Sequence, residues 1–187
     1  MEPAAQILTP RRKRVRRHLP LLAGWGRDLF ISLLIAAFII IFLYQPVKVE
    51  GTSMLPGLDD QERIFINKFV YSFEPIERGD IVVFRYPRDP SKSYIKRVIA
   101  VGGDTVRIAD GRLYVNGKHV PEPYVPSEFF DERSYPEMVV ARGMYFLLGD
   151  HRSSSSDSRE FGPVSRRYIY GKAVFGYWPV DKVGVVR

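Results

Sequence analysis

Few residues in this 187-residue chain can do covalent chemistry. There is no cysteine, which excludes a thiol nucleophile, a disulfide framework and a thiolate metal site. The three histidines, at 18, 119 and 151, are too few and too scattered for a zinc site. One hydroxyl stands out by its position. Ser53 lies in Gly51-Thr-Ser-Met-Leu-Pro-Gly57, a short Gly/Pro-bounded stretch directly after a long apolar run. In most chains such a serine is an ordinary loop residue, and it attacks an amide only if a neighbour takes its proton. Among the histidines, His18 precedes the apolar run and His119 sits beside a hairpin turn, which leaves His151 within Gly149–Arg159. The other candidate base is Lys96. Strand alternation in Tyr94–Val101 puts Tyr94, Lys96, Val98 and Ala100 on one face, with Arg97 on the other. A lysine there either snorkels at a sheet edge or is buried, and periodicity alone does not choose. If buried, its pKa must fall from ~10.4 by ~2–3 units to make the free amine common, at about 3–4 kcal/mol to the fold. A carboxylate beside the amine would act in the opposite sense.

The elements around these groups divide sharply at Pro46. Before it, Leu29–Tyr44 runs sixteen residues without a charge. As a helix this spans about 24 Å, slightly short of a ~30 Å hydrocarbon core. Leu21–Gly26 can extend it, and Trp25 and Tyr44 sit where interfacial aromatics anchor a span. The run is apolar on every face, unlike a surface helix, and no small-x-small site follows it, unlike a cleavable leader. An uncleaved anchor with its N-terminus inside is expected. Residues 1–28 carry +5 of the chain's formal +7, through Arg11, Arg12, Lys13, Arg14, Arg16, Arg17 and Arg27 against Glu2 and Asp28. That basic cluster holds a segment on the cytoplasmic side, and its confinement to a tail argues against a nucleic-acid face. Residues 1–20 read as disordered.

After Pro46 the pattern is that of short strands. Val47–Glu50, Arg63–Asn67, Asp80–Tyr86, Ser93–Val101, Val106–Ile108, Leu113–Val115, Met144–Leu148 and Ala173–Trp178 are predicted strands, with tight turns at Asp110-Gly111 and Asn116-Gly117. Residues 120–142 lack clear periodicity. The expected fold is mainly β: one N-terminal transmembrane helix, then an antiparallel β-sheet catalytic domain with a small β-rich insertion. The expected boundaries are a basic tail at 1–27, an anchor at 28–45, the β domain at 46–108 and 143–187, and the insertion at 109–142.

Four fragments in this order resemble the bacterial type I signal peptidases: Ser53-Met54 with Pro56 after the apolar run; Gly79-Asp80-Ile-Val-Val-Phe84 ending at Tyr86-Pro87; Lys96-Arg97 leading to Gly103-Asp104; and Gly149-Asp150-x-Arg152-x-x-Ser155-x-Asp157-Ser158-Arg159. The resemblance spans about residues 28–181, apart from most of 109–142. It implies a Ser/Lys endopeptidase of the bacterial cytoplasmic membrane, with its catalytic domain on the extracytoplasmic side, that removes signal peptides from exported preproteins after small-x-small sites. Ser53 would be the nucleophile and Lys96 the general base. Ser155 would orient the amine, and Asp157 and Arg159 would form a supporting ion pair. Val47, Val49, Met54, Leu58, Tyr94 and Ile95 match positions lining the substrate pockets. No metal or organic cofactor is implied. Some relatives carry a serine two residues before the nucleophile as an oxyanion donor. Gly51 stands there in this chain, which leaves the second donor open. Trp178 is a candidate for the lipid interface. Two alternatives remain at this level: a specialised relative that matures pilins or conjugation proteins, and a non-catalytic anchored module that binds extended peptides.

Overall fold

The computed structural model describes residues 19–187, with side chains described at 24–39 and from Leu43 onward. The expectations for residues 1–18, including His18, lie outside these. The chain divides into two compact units between Phe38 and Ile39.

Helix α1 runs Leu19–Leu43, so it starts before the expected end of the tail. Its end is also earlier than expected. Pro46 disfavours helical backbone at Gln45, and Tyr44–Lys48 is already strand β1. Arg27 and Asp28 pair with each other inside the helix at 3.1 Å, while Leu29, Phe30, Leu33, Leu34, Ile35 and Phe38 are exposed. Among the described residues no helix is both long and apolar enough to cross a membrane.

The second unit is mainly β, and all its strand pairings are antiparallel. Its main strands after β1 are β2 (Arg63–Asn67), β3 (Ile81–Tyr86), β4 (Asp89–Val101), β5 (Thr105–Ala109), β6 (Arg112–Val115), β7 (Lys118–His119), β8 (Tyr135–Val139), β9 (Met144–Leu148), β10 (Val164–Ser165), β11 (Ile169–Trp178) and β12 (Gly184–Val185). The larger sheet has the order β1-β2-β11-β3-β4-β9-β10, with β12 on β11; the smaller is β7-β6-β5-β8. The smaller sheet therefore takes in Thr105–Ala109, which the sequence reading had grouped with the larger one. It also takes in Tyr135–Val139, from a stretch without visible periodicity.

Alternation explains the packing. Ile81 and Val83 face one apolar cluster with Met54, Leu58, Ile64 and Ile66. Val82 and Phe84, on the same strand, face another with Val98, Leu147 and Ile169. A strand buried on both faces reads as a continuous apolar run, and β3 does. Val106, Ile108, Leu113 and Val115 close a third cluster against Ile99, Phe146 and Leu148. The turns joining β5 to β6 and β6 to β7 place Asp110-Gly111 (φ 47° and 71°) and Asn116-Gly117 (φ 53° and 73°) in the left-handed region, the conformation a two-residue hairpin needs at both positions.

Candidate active site

Ser53 is half-buried on the loop between β1 and β2. The loop turns back on itself through Leu55 N–H to Thr52 O (3.1 Å) and Leu58 N–H to Met54 O (2.9 Å). Met54 and Leu58, each 1% exposed, root it in the core. From the other side, His151 N–H donates to Ser53 O at 3.1 Å. No room is left there: a Cβ on Gly149 would sit 2.5 Å from Ser53 O and 2.2 Å from Ser155 Oγ.

Lys96 reaches Ser53 from β4. Its Nζ lies 2.6 Å from Ser53 Oγ and donates to Ile95 O at 3.0 Å. The residue is 4% exposed. As alternation indicated, its strand neighbours Tyr94 and Val98 share one apolar cluster, and the Tyr94 ring centroid lies 5.5 Å from Nζ. Burial brings the Lys96 amine down from 10.5 to about 8, against an upward pull from the Asp157 and Asp150 carboxylates. Desolvation of the charged form wins because neither carboxylate is spent on the amine. Asp150 faces Arg97 at 2.6 and 2.8 Å, and Asp157 faces Arg159 at 2.8 and 2.9 Å. The structure thus buries Lys96 rather than letting it snorkel.

The other predicted groups fall out as follows. Asp157 and Arg159 form the expected ion pair, and Asp157 also accepts Gly149 N–H at 3.2 Å. Asp150 and Arg152 do not pair with each other; Arg152 pairs with Glu122. Ser155 is buried 8% exposed near the site, but its Oγ makes no hydrogen bond among the described residues, so the expected bond to the Lys96 amine is not formed. That hydroxyl packs against Gly149 instead. The His151 imidazole turns its Nδ1 to Thr52 O at 3.2 Å and packs on Phe129, 4.3 Å between ring centroids. His119 is exposed, as its turn implied.

A cleft of about 490 Å³ opens over Ser53 and Lys96. Val47 and Val49 line it on one side, Tyr94 and Ile95 on the other, with Val83, Ser91, Ser93 and Ser156. Met54 and Leu58, expected to line substrate pockets, lie instead in the core: their apolar side chains point down among Ile64, Ile66 and Val83. The outer half of β4 pairs with β3 only, since β9 meets β4 first at Arg97. No His, Asp and Glu cluster among the described residues has metal-binding geometry. A half-buried serine paired with a buried amine, in a cleft lined by Val47, Val49 and Ile95 but also by Lys48, Glu50 and several serines, is the equipment of a covalent hydrolase.

Residues 22–178 match the family model for signal peptidase, peptidase S26. The chain belongs to the signal peptidase family. It is similar to signal peptidase I of Bacillus amyloliquefaciens, 38% identical over 89% of this chain and 91% of the relative. It is also similar to signal peptidase I T of Bacillus subtilis (strain 168), 37% identical over 85% and 86%. A crystal structure of a signal peptidase I from Enterococcus faecalis is 32% identical and covers 53% of this chain and 97% of its own, with a TM-score of 0.48. Family membership makes the chain a serine protease.

What the sequence did not reveal about this signal peptidase family site is its outer bracing. Glu122, Tyr124, Phe129 and Asp131 all touch residues of the loop or of β4. They come from a Pro-rich stretch whose lack of periodicity hid them; only its acidic residues, opposite the arginines of Gly149–Arg159, carried a signal.

Proposed function

We propose that this chain is a membrane-anchored signal peptidase I that cleaves signal peptides from preproteins after small-x-small sites with a Ser53/Lys96 dyad. The observation that carries the reading is the 2.6 Å separation of Ser53 Oγ and Lys96 Nζ at a cleft that Val47, Val49 and Ile95 help to line, with the amine buried and its pKa near 8. An extended substrate adds beside the free half of β4, and small side chains enter between Val47, Val49 and Ile95.

In the first half of the reaction, neutral Lys96 takes the Ser53 hydroxyl proton as Oγ bonds to the scissile carbonyl carbon. The Ser53 N–H, which has no hydrogen-bond partner among the described residues, faces the negative charge that develops on the carbonyl oxygen. The tetrahedral species collapses, the C–N bond breaks, and the Lys96 ammonium gives its proton to the leaving amine. The second half repeats the sequence with water: Lys96 takes a proton from it, the hydroxyl attacks the Ser53 ester, and Oγ leaves with the proton. Burial serves both halves. At pH 7.4 an unshifted lysine is neutral in only about one molecule in a thousand, whereas one at about 8 is a competent base.

Anchoring is supported by the uncharged run Leu29–Tyr44, the exposed apolar side chains of α1 and the basic cluster before it. The N-terminus then faces the cytoplasm, and the β domain lies outside the bacterial cytoplasmic membrane. To test the dyad, a preprotein with an Ala-x-Ala site is digested and quenched in acid during turnover. Mass spectrometry is expected to find the acyl adduct on the peptide bearing Ser53. Turnover with the adduct on another residue, or cleavage equally fast after Ala is replaced by a bulky residue, would overturn the reading.

A further inference from the structure

Gly149 is where the loop presses on the nucleophile, and both of its backbone polar groups are held. Asp157 accepts its N–H at 3.2 Å, and Arg152 Nε donates to its carbonyl at 3.0 Å. Two residues on, His151 N–H donates to Ser53 O. The height of Ser53 in the cleft therefore depends on this turn, and the turn depends on one carboxylate and one guanidinium.

Neither clamp residue is self-sufficient. Arg152 is 3% exposed, and its terminal nitrogens both bond the Glu122 carboxylate. Asp157 is wholly buried and binds Arg159, whose NH1 in turn donates to Asp131 at 2.8 Å. Arg159 also donates to Arg152 O at 2.8 Å, joining the two clamps. Both outer carboxylates come from one segment, residues 122–131, between β7 and β8. The same segment lays Tyr124 over the Arg97 guanidinium at 4.2 Å and Phe129 against His151. Buried charges persist only when paired; Glu122 is the ion-pair partner of Arg152, and Asp131 shares Arg159 with Asp157, so these two acids brace the two clamps.

We propose that Glu122 and Asp131 are positioning residues for catalysis: residues 122–131 form a strap whose two carboxylates lock Arg152 and Arg159, and through them Gly149, His151 and Ser53. The proposal rests on the Ser53/Lys96 reading for its effect on rate. It also makes a claim about backbone order that holds whatever the chemistry. Neither acid touches the cleft, so loss of either leaves substrate binding largely intact and misplaces the nucleophile.

The test uses the full chain in detergent and compares Glu122→Gln, Asp131→Asn and the double variant with wild type. Ile108→Ala, which loosens the small sheet's core without touching an ion pair of the strap, serves as the control for lost stability. Amide hydrogen exchange in 149–157 is expected to rise about tenfold or more in the double variant, and not in Ile108→Ala. With a preprotein substrate, kcat per folded molecule is expected to fall about ten- to a hundredfold, with KM changed less than about threefold. Unchanged exchange in 149–157 would overturn the proposal, and so would faster exchange with undiminished kcat. Cleavage by Ser53→Ala would instead defeat the dyad reading, while the exchange comparison still decides the strap.

Discussion

Replacing Lys96 by methionine, which keeps length and removes charge, separates the cost of burying the amine from its chemical use. In the folded enzyme Lys96 titrates near 8, against 10.5 ordinarily. Between those values the unfolded chain still holds a proton that the folded one has released, so stability rises with pH through the window. Below pH 8 both states are protonated, and the fold bears the whole desolvation cost, about 3 kcal/mol for a shift of roughly 2.5 units. Lys96→Met escapes that cost and loses the Ser53 contact, worth about 1 kcal/mol at any pH. At pH 7 the variant is therefore expected to be more stable than wild type by about 2 kcal/mol. By pH 10 the difference shifts by about 2.5 kcal/mol in favour of wild type, or roughly 5–10 °C in Tm. The remaining ionisable groups are common to both proteins and largely cancel. Thermal melts of the two in the same detergent at pH 7 and pH 10 read the effect directly. In parallel, wild-type kcat/KM is expected to rise with pH through an apparent pKa of about 8. A Tm difference independent of pH would refute the buried-amine argument, and a rate limb near ~6.5 would transfer the base to His151.

Gly149→Ala drives a methyl into Ser53 O and Ser155 Oγ; kcat is expected to fall about a hundredfold in a steady-state peptide assay, with the fold retained by circular dichroism. Asp150→Asn leaves Arg97, 4% exposed, without its counter-ion and is expected to cost about 3–5 kcal/mol, seen as a lower Tm. Because Asp150 is one of the two carboxylates that raise the Lys96 pKa, the rising limb of the residual activity moves to lower pH. Val47→Phe narrows the cleft, and kcat/KM for an Ala-x-Ala substrate is expected to drop about tenfold or more with Tm nearly unchanged.

The strand cores were legible in sequence for a local reason, whereas pairing Ser53 with Lys96 rested on the family resemblance. β2 and β9 were bounded correctly because their apolar periods end at charged or glycine residues, and Asp110-Gly111 and Asn116-Gly117 announced their turns. Two-residue alternation put Lys96 on the face of Tyr94 and Val98, which share one cluster, but choosing burial over snorkelling needed the three-dimensional core. The misplaced features depend on long-range pairing. Met54 and Leu58 sit close to Ser53 in sequence, yet the loop's own turn sends them into the core. The Ser155 hydroxyl has a motif position but no hydrogen-bond partner among the described residues. Glu122 and Asp131 bind arginines 30 and 28 residues away, which no local pattern encodes.

The central claim is that Lys96 activates Ser53, and its most direct test is cleavage of an Ala-x-Ala preprotein by wild type, Ser53→Ala and Lys96→Ala, purified in detergent and shown to be folded. The account expects cleavage by wild type and its loss, by more than about a thousandfold, in both variants. Cleavage by Lys96→Ala at the wild-type rate would contradict it.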